Sequence, residues 1–375
     1  MKRLPTMHFG DWEVPLPIIQ GGMGVGISLS GLASAVANEG GIGVISSAGV
    51  GTFYYTLADK IALKDADREG LKREIRKART LTKGRIGVNI MAALTDFSQL
   101  LRCAIEEKAD FVFMGAGLPL WDPKEIPETL LQTSQTKLIP IVSSAKGASV
   151  IVKYWLKKNN RLPDGFVLEG PLAGGHLGFK PSQIEDPQYQ LEQILPPLIE
   201  LTKDLEKEHG RHIPVIAGGG IFSGSDIRRM LELGAEGVQM STRFVGTDEC
   251  DASLAFKEAY VQCKPEDIMI IQSPVGLPGR AIRNEFIQSI QNGHKKPFTC
   301  PYQCLRTCDF INAPYCIAMA LTNAQKGLLD EGFAFCGANA HRVDKIRSVK
   351  ELIQVIQEEY AQTFETGLST DSSLK

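Results

Sequence analysis

Eight short apolar runs punctuate the first 241 residues of the chain: Leu16–Gln20, Ile42–Ser46, Arg85–Ile90, Asp110–Gly115, Leu138–Ser143, Gly165–Glu169, Ile213–Ala217 and Gly237–Ser241. Each is nearly continuous rather than alternating, and ends near Gly, Ser, Asn or a charged residue. Strands buried on both faces read this way, as in a parallel sheet. Segments of helical pattern separate the runs: Ser30–Glu39, Asp67–Thr80, Phe97–Lys108, Ala145–Lys157, Leu191–Glu208, Ser225–Leu233 and Asp251–Gln262. Asp67–Thr80 is strongly charged and is expected on the surface. Gly40, Gly210 and Gly234 each follow a helical segment, where a left-handed residue closes the last turn.

Alternating β and α units predict right-handed crossovers and a parallel sheet. Eight units by residue 262 predict an α/β fold, a (β/α)8 TIM barrel. A doubly wound sheet is the alternative. The count of eight favours the barrel, as do the Gly-rich and polar residues at the C-terminal ends of the runs, where barrel sites are built. From Cys263 the pattern changes. Ile268–Gln272 is apolar, Ser273–Arg280 reads as a loop, and helical segments return at Ala313–Lys326 and Ser348–Glu359. The expected organisation is a barrel over 1–262, a smaller, mainly helical lid over 263–345, and a C-terminal helix and tail over 346–375 that packs on the barrel.

Composition narrows the function. The 375 residues are 43 % hydrophobic, which excludes low-complexity disorder. A net charge of −2 excludes a basic nucleic-acid footprint over the whole chain. No run approaches the ~18 apolar residues of a membrane span. The opening MKRLPTMHFGDWEVP has no apolar core of a secretory signal. A cytoplasmic protein with a small-molecule substrate, and without nucleic-acid or membrane partners, is expected. A homodimer is an open alternative to a monomer.

Several motifs carry chemistry. Gly21–Gly26 (GGMGVG) is open to three readings: a dinucleotide loop, a tight turn, or a backbone that a flat cofactor approaches closely. A dinucleotide loop wants an acidic residue after the second strand, where this chain has Ser46 and Ser47. Gly218, Gly219 and Gly220 precede a helix opened by Ser223, and Gln239, Met240, Ser241 and Thr242 end the eighth run. Together they read as a cradle of backbone N–H groups for a phosphate, at the position barrels often use, or as two ordinary glycine turns. Asn89 suits the edge of a heterocycle, or is a turn asparagine. Lys146 faces a phosphate or an electron-rich ring, or is a solvated lysine of a first helical turn. His176 lies in the small-residue loop Glu169–Gly178 and is the side chain best suited to take a proton near neutral pH, or is a surface loop histidine; the glycines on both sides, which let the loop press against a ligand, favour the first.

These residues stand in the strings Pro17–Gly24, Gly87–Asn89, Ala173–His176, Ala217–Ile221 and Gln239–Phe244, continuing in Tyr315–Ile317 and Phe335–Ala340. The set resembles the nitronate monooxygenase (2-nitropropane dioxygenase) family, which includes FMN-dependent enoyl-acyl-carrier-protein reductases. The resemblance implies an FMN barrel. Gly22, Met23, Gly24 and Asn89 would meet the flavin ring or ribityl chain, and Lys146, Glu169, Gly174 and Gly175 would lie near the cofactor. Gly218–Gly220 and Gln239–Thr242 would hold its phosphate, and His176 would stand beside flavin N5 and the substrate. Family members often carry Glu before Ala-Gly-Gly-His; here Leu172 stands there.

The reaction expected is oxidative denitrification of alkyl nitronates or nitroalkanes with O2. The alternative is an NAD(P)H-dependent reductase of an enoyl thioester or quinone, with Ser273–Arg280 closing the site and Arg280 meeting a phosphate or carboxylate. A barrel that only binds a phosphorylated ligand is the non-enzyme reading. Cys300, Cys304, Cys308 and Cys316 stand apart. Four thiolates can hold zinc or an iron–sulfur cluster, but the spacing matches neither zinc-ribbon pairs nor a common ferredoxin pattern. Reduced packing or surface thiols are the favoured reading, and a disulfide is a third.

Overall fold

A computed structural model describes residues 3–56, 59, 61–300 and 303–365. The chain begins with an antiparallel hairpin, β1 (Met7–Phe9) and β2 (Trp12–Val14). Eight parallel strands follow: β3 (Ile18–Gln20), β4 (Ile42–Ser46), β5 (Arg85–Met91), β6 (Phe111–Gly115), β7 (Lys137–Val142), β8 (Phe166–Glu169), then, after the two-residue β9 (Gly175–His176), β10 (Val215–Gly218) and β11 (Gly237–Met240). They pair in chain order, and β11 returns to β3 with Gln239 opposite Ile19, so the barrel closes. All eight apolar runs are barrel strands, with ends that differ by at most two residues.

The alternation arises because each strand is buried twice. Its inward residues, among them Ile19, Val44, Phe111, Ile139, Val167 and Ile216, fill the barrel together with Met7, Phe9 and Val14 of the hairpin. Its outward residues meet the helices. Arg85 and Lys137, the first residues of β5 and β7, lie over the Trp12 ring at 4.2 and 5.0 Å, so the hairpin caps the N-terminal end of the barrel. Each fully buried aliphatic side chain contributes ~1.5–3 kcal/mol.

The connecting helices are α1 (Ser30–Asn38), α2 (Leu63–Leu81), α3 (Phe97–Glu106), α4 (Glu128–Thr133), α5 (Ala145–Asn159), α6 (Pro181–Ile184), α7 (Leu191–His209), α8 (Gly224–Glu232), α9 (Thr242–Val245) and α10 (Leu254–Val261). Helix α2 is longer than its pattern predicts and is not simply a surface helix. Asp67, Leu71, Glu74, Ile75 and Ala78 are buried.

Beyond the barrel, β12 (Ile268–Gln272) and β13 (Pro278–Ile282) form a second hairpin, followed by α11 (Glu285–Gln291) and α12 (Ile317–Gln325). The expectation that Ser273–Arg280 is a loop is corrected: only its first half turns. Pro278–Arg280 belong to β13, which pairs with β12 and also with β9, placing Gly279 opposite His176. The Pro and Gly that suggested a loop sit in a strand paired on both sides. The last helix, α13 (Val349–Glu365), packs on α8 and α1. Its Glu359 accepts from the Gly224 N–H at 2.9 Å and holds the Arg243 guanidinium through both oxygens at 2.7 and 2.9 Å. The expected tail over 366–375 lies outside the described residues. Among the described residues, no helix is long and apolar enough to cross a membrane.

Candidate active site

A cavity of about 670 Å³ opens at the C-terminal ends of the barrel strands. Its deep side is largely backbone. Gly22 follows β3, and a Cβ there would stand 2.3 Å from the Asn89 Cβ. Gly219 and Gly220 have φ of +93° and +86°, so a side chain would be strained at either position. A Cβ on Gly219 would also lie 2.8 Å from the Gly170 carbonyl oxygen. The N–H groups of Gly219, Gly220 and Ser241 donate to no described group. Lys326, exposed at the mouth, is the only Lys or Arg among the lining residues. An anion bound deep in the cavity would therefore meet backbone N–H groups such as those of Gly219, Gly220 and Ser241.

The residues fit FMN, a flat ring system on a phosphate tail. Bare backbone leaves room for the ring, the Asn89 amide, whose Nδ2 also donates to the Phe113 carbonyl at 3.4 Å, offers its oxygen to the ring edge, and the unpaired N–H groups suit the phosphate.

Side chains make the facing wall. His176 Nε2 lies 2.8 Å from Ser273 Oγ in the β12–β13 turn, and the imidazole meets Phe335 edge-on at 5.0 Å. Burial lowers its pKa to about 4, so the ring is neutral at physiological pH. Burial pushes Glu169, the last residue of β8, up to about 7. Asp67 also lines the cavity. Burial raises it to about 7, against the opposing effect of the Gly51 N–H that donates to it at 2.7 Å. The segment after Phe335 is stitched to the barrel. Gly337 N–H donates to Thr242 Oγ1 at 2.9 Å, Ala338 N–H to the Leu172 carbonyl at 3.1 Å, and the Asn339 amide to the Gly220 carbonyl at 2.6 Å.

The structure brings His176, Gly22, Met23, Gly24, Asn89, Glu169, Gly174, Gly175, Gly219, Gly220, Gln239, Met240, Ser241 and Thr242 to this one cavity. Two expected residues lie elsewhere. Lys146 is exposed in the first turn of α5, outside the lining, and Gly218 ends β10, where its carbonyl accepts from Gly170 N–H at 2.9 Å. The expectation that Arg280 meets a substrate anion is corrected. Its guanidinium is buried and donates to the Pro171 and Ala173 carbonyls, so it braces the loop that carries His176.

Sequence reasoning assigned no individual role to Phe335, Asn339 or Asp67, and took Ser273 only as part of a loop closing the site. The Phe335–Ala340 string carried a usable signal for two of them. Ser273 and Asp67 carried none, because one sits in an ordinary turn and the other in a charged helix.

Among the described residues, no three or more His, Cys, Asp or Glu side chains converge as ligands of one metal ion. The eight cysteines are free thiols.

A closed parallel barrel with a cavity at the C-terminal ends of its strands is the architecture on which barrel enzymes build their sites, and the family match makes this one an oxidoreductase. Residues 11–359 match the nitronate monooxygenase family model, and the chain belongs to that family. It is similar to a (3aS,4S,5R,7aS)-5-hydroxy-7a-methyl-1-oxo-octahydro-1H-indene-4-carboxyl-CoA dehydrogenase of Mycobacterium tuberculosis, with 27 % identity over 74 % of this chain. That match spans just under two thirds of the dehydrogenase, 66 %. The probable nitronate monooxygenase of Staphylococcus saprophyticus is 26 % identical over 77 % of this chain and 81 % of its own length. The solved structure of FabK from Thermotoga maritima superposes with a TM-score of 0.72 and 28 % identity, covering 95 % of this chain and 96 % of that one.

Proposed function

We propose that this protein is an FMN-dependent oxidoreductase that denitrifies alkyl nitronates, and nitroalkanes that His176 first deprotonates, with O2 as oxidant. One observation carries the reading: a half-buried histidine, neutral at physiological pH, stands in a cavity whose opposite wall is bare backbone. Bound FMN would supply electron transfer at N5. The chain's residues do the rest. With its Nε2–H donated to Ser273 Oγ, the imidazole keeps Nδ1 as the acceptor for a carbon-bound proton. The edge contact with Phe335 and the pairing of His176 with Gly279 hold the ring in place. Phe333, Phe335, Ile317 and Leu321 limit water around the proton being moved.

A second reading, an NAD(P)H-dependent reductase of an unsaturated thioester or quinone, is favoured by the extent of that apolar wall. Met91, Leu94, Leu305 and Met319 continue it beyond what a short nitroalkane needs. The relative that acts on a CoA thioester supports it too.

Mixing the flavin-loaded protein under nitrogen with alkyl nitronates, NADH and NADPH separates the two. Bleaching of the flavin by nitronate alone is the expected result. Bleaching by NAD(P)H alone overturns the monooxygenase reading in favour of the reductase.

A further inference from the structure

The connection between β4 and α2 forms a polar corner of the cavity that the proposed reaction does not use. A short 3-10 turn, Val50–Phe53, follows β4 and packs directly on α2. Glycines make the contact on both sides. A Cβ on Gly51 would stand 2.4 Å from the Ala66 carbonyl carbon and 2.5 Å from the Asp67 nitrogen, and one on Gly70 would stand 3.0 Å from the Val50 carbonyl oxygen. Glycine inside a helix costs about 1 kcal/mol relative to alanine, so Gly70 marks a close approach that the fold keeps. That approach sets Asp67 in the cavity wall.

Asp67 is only 3 % exposed. Its Oδ1 accepts from Gly51 N–H at 2.7 Å, whereas its Oδ2 accepts from no described group. That oxygen is not sealed inside the protein, so it faces the cavity that Asp67 lines. No Lys or Arg among the described residues pairs with it. A buried carboxylate without a cation is costly, and such costs concentrate where a ligand uses the group.

Gly51 also fixes two neighbours. Thr52 follows it in the chain, and Tyr55 N–H donates to its carbonyl at 2.9 Å. Both side chains line the same cavity. Thr52 Oγ1 donates to the Gly49 carbonyl at 2.7 Å, so toward a ligand it accepts. Tyr55 Oη accepts from Arg73 Nη2 at 3.2 Å, and its own O–H reaches no described acceptor. The corner therefore offers two acceptors, Asp67 Oδ2 and Thr52 Oγ1, and one donor, Tyr55 O–H. A primary carboxamide carries the complement: two N–H donors and one carbonyl acceptor. A carboxylate brings acceptors only, and a like charge.

We propose that Asp67, Thr52 and Tyr55 form a subsite that takes an uncharged carboxamide of a bound ligand and turns away a carboxylate. The carboxamide belongs either to an aliphatic substrate, whose chain would lie on the apolar wall of Leu94, Leu305 and Met319, or to the nicotinamide of a cosubstrate. The subsite shares the cavity with the proposed reaction but needs no turnover.

The test is calorimetric titration of the full chain near pH 8, where Asp67 is largely ionised, with and without FMN. The probes are two matched pairs: octanamide against octanoate, and nicotinamide against nicotinate. None of the four exchanges electrons with a flavin. Failure here therefore leaves the oxidoreductase reading standing, and a chain without flavin chemistry still reports on the corner. In one pair the amide should bind about tenfold tighter than its acid, and which pair does so identifies the source. Asp67→Asn should tighten binding of that acid about tenfold by removing the like charge. Tyr55→Phe should weaken the amide roughly fivefold, which keeps the test open if the Asn variant does not fold. Equal affinity for amide and acid in both pairs overturns the proposal. So does an amide preference that both variants leave unchanged, or no binding of either amide at millimolar concentration.

Discussion

The two walls of the cavity are built differently. The deep wall, from Gly22 to Thr242, is largely backbone and belongs to the barrel. The facing wall is side chains, and its key histidine is held by the lid hairpin. A backbone wall accepts any ligand of the right shape and charge, so it suits a cofactor. A side-chain wall can be changed residue by residue, so it suits the choice of substrate and reaction. Relatives with different names can share the first wall and differ in the second.

The sharpest way to break this contrast is His176→Asn. Flavin content should stay at the wild-type level while kcat/KM for nitroalkanes falls ~10²–10⁴-fold. The fall should be much smaller for preformed nitronates, which need no base. Equal losses on both substrates would show that His176 binds rather than takes a proton. For wild type, the nitroalkane rate should persist well below pH 6. It should fall only as the imidazole gains its proton near its lowered pKa of about 4, because the neutral ring is the active form.

The deep wall is tested by Gly219→Ala. A methyl group pressed on the Gly170 backbone at a φ of +93° should cost about 3 kcal/mol and lower the flavin retained on purification about tenfold or more. A thermal melt and the flavin-to-protein absorbance ratio read both effects.

Asp67 sharpens the comparison from the floor of the cavity. Its carboxyl titrates near 7 when folded and near 4 when unfolded. The folded form holds the extra proton across that window, so stability falls as pH rises from 4 to 7. Asp67→Asn can still accept from Gly51 N–H and carries no such penalty. It should be more stable than wild type by on the order of 2 kcal/mol at pH 8, with no difference at pH 4. A constant difference at both pH values would sink that account.

The smallest effect is expected from Ser273→Ala. The imidazole loses one hydrogen bond but keeps Phe335 and the strand pairing, so kcat should fall about tenfold.

The barrel was legible because doubly buried strands such as Ile42–Ser46 leave unbroken apolar runs. The glycine cradle was legible because few other uses require so many glycines at strand ends. The lid was less so. Strand β9 is two residues long, Gly-His, and has no apolar period to read. Strand β13 contains Pro278 and Gly279, which signal turns. Lys146 kept two readings in the sequence, because position after a strand does not fix which way a first-turn side chain leaves its helix; it is exposed in the first turn of α5. Asp67 was hidden because a charged residue among charged residues gives no sign of which one is buried.

The pairing of Gly279 with His176 joins positions about a hundred residues apart in the chain. Ala338 closes on Leu172, and Glu359 on Gly224 and Arg243, at greater separations still. Contacts this remote form late and wait for the C-terminal third of the chain to be synthesised. A nascent barrel emerging from the ribosome can assemble its strands, yet it cannot fix its histidine or the glycine turn after β10. The cavity thereby stays unfinished until the last helix has been made, and order of synthesis becomes a safeguard written into the topology.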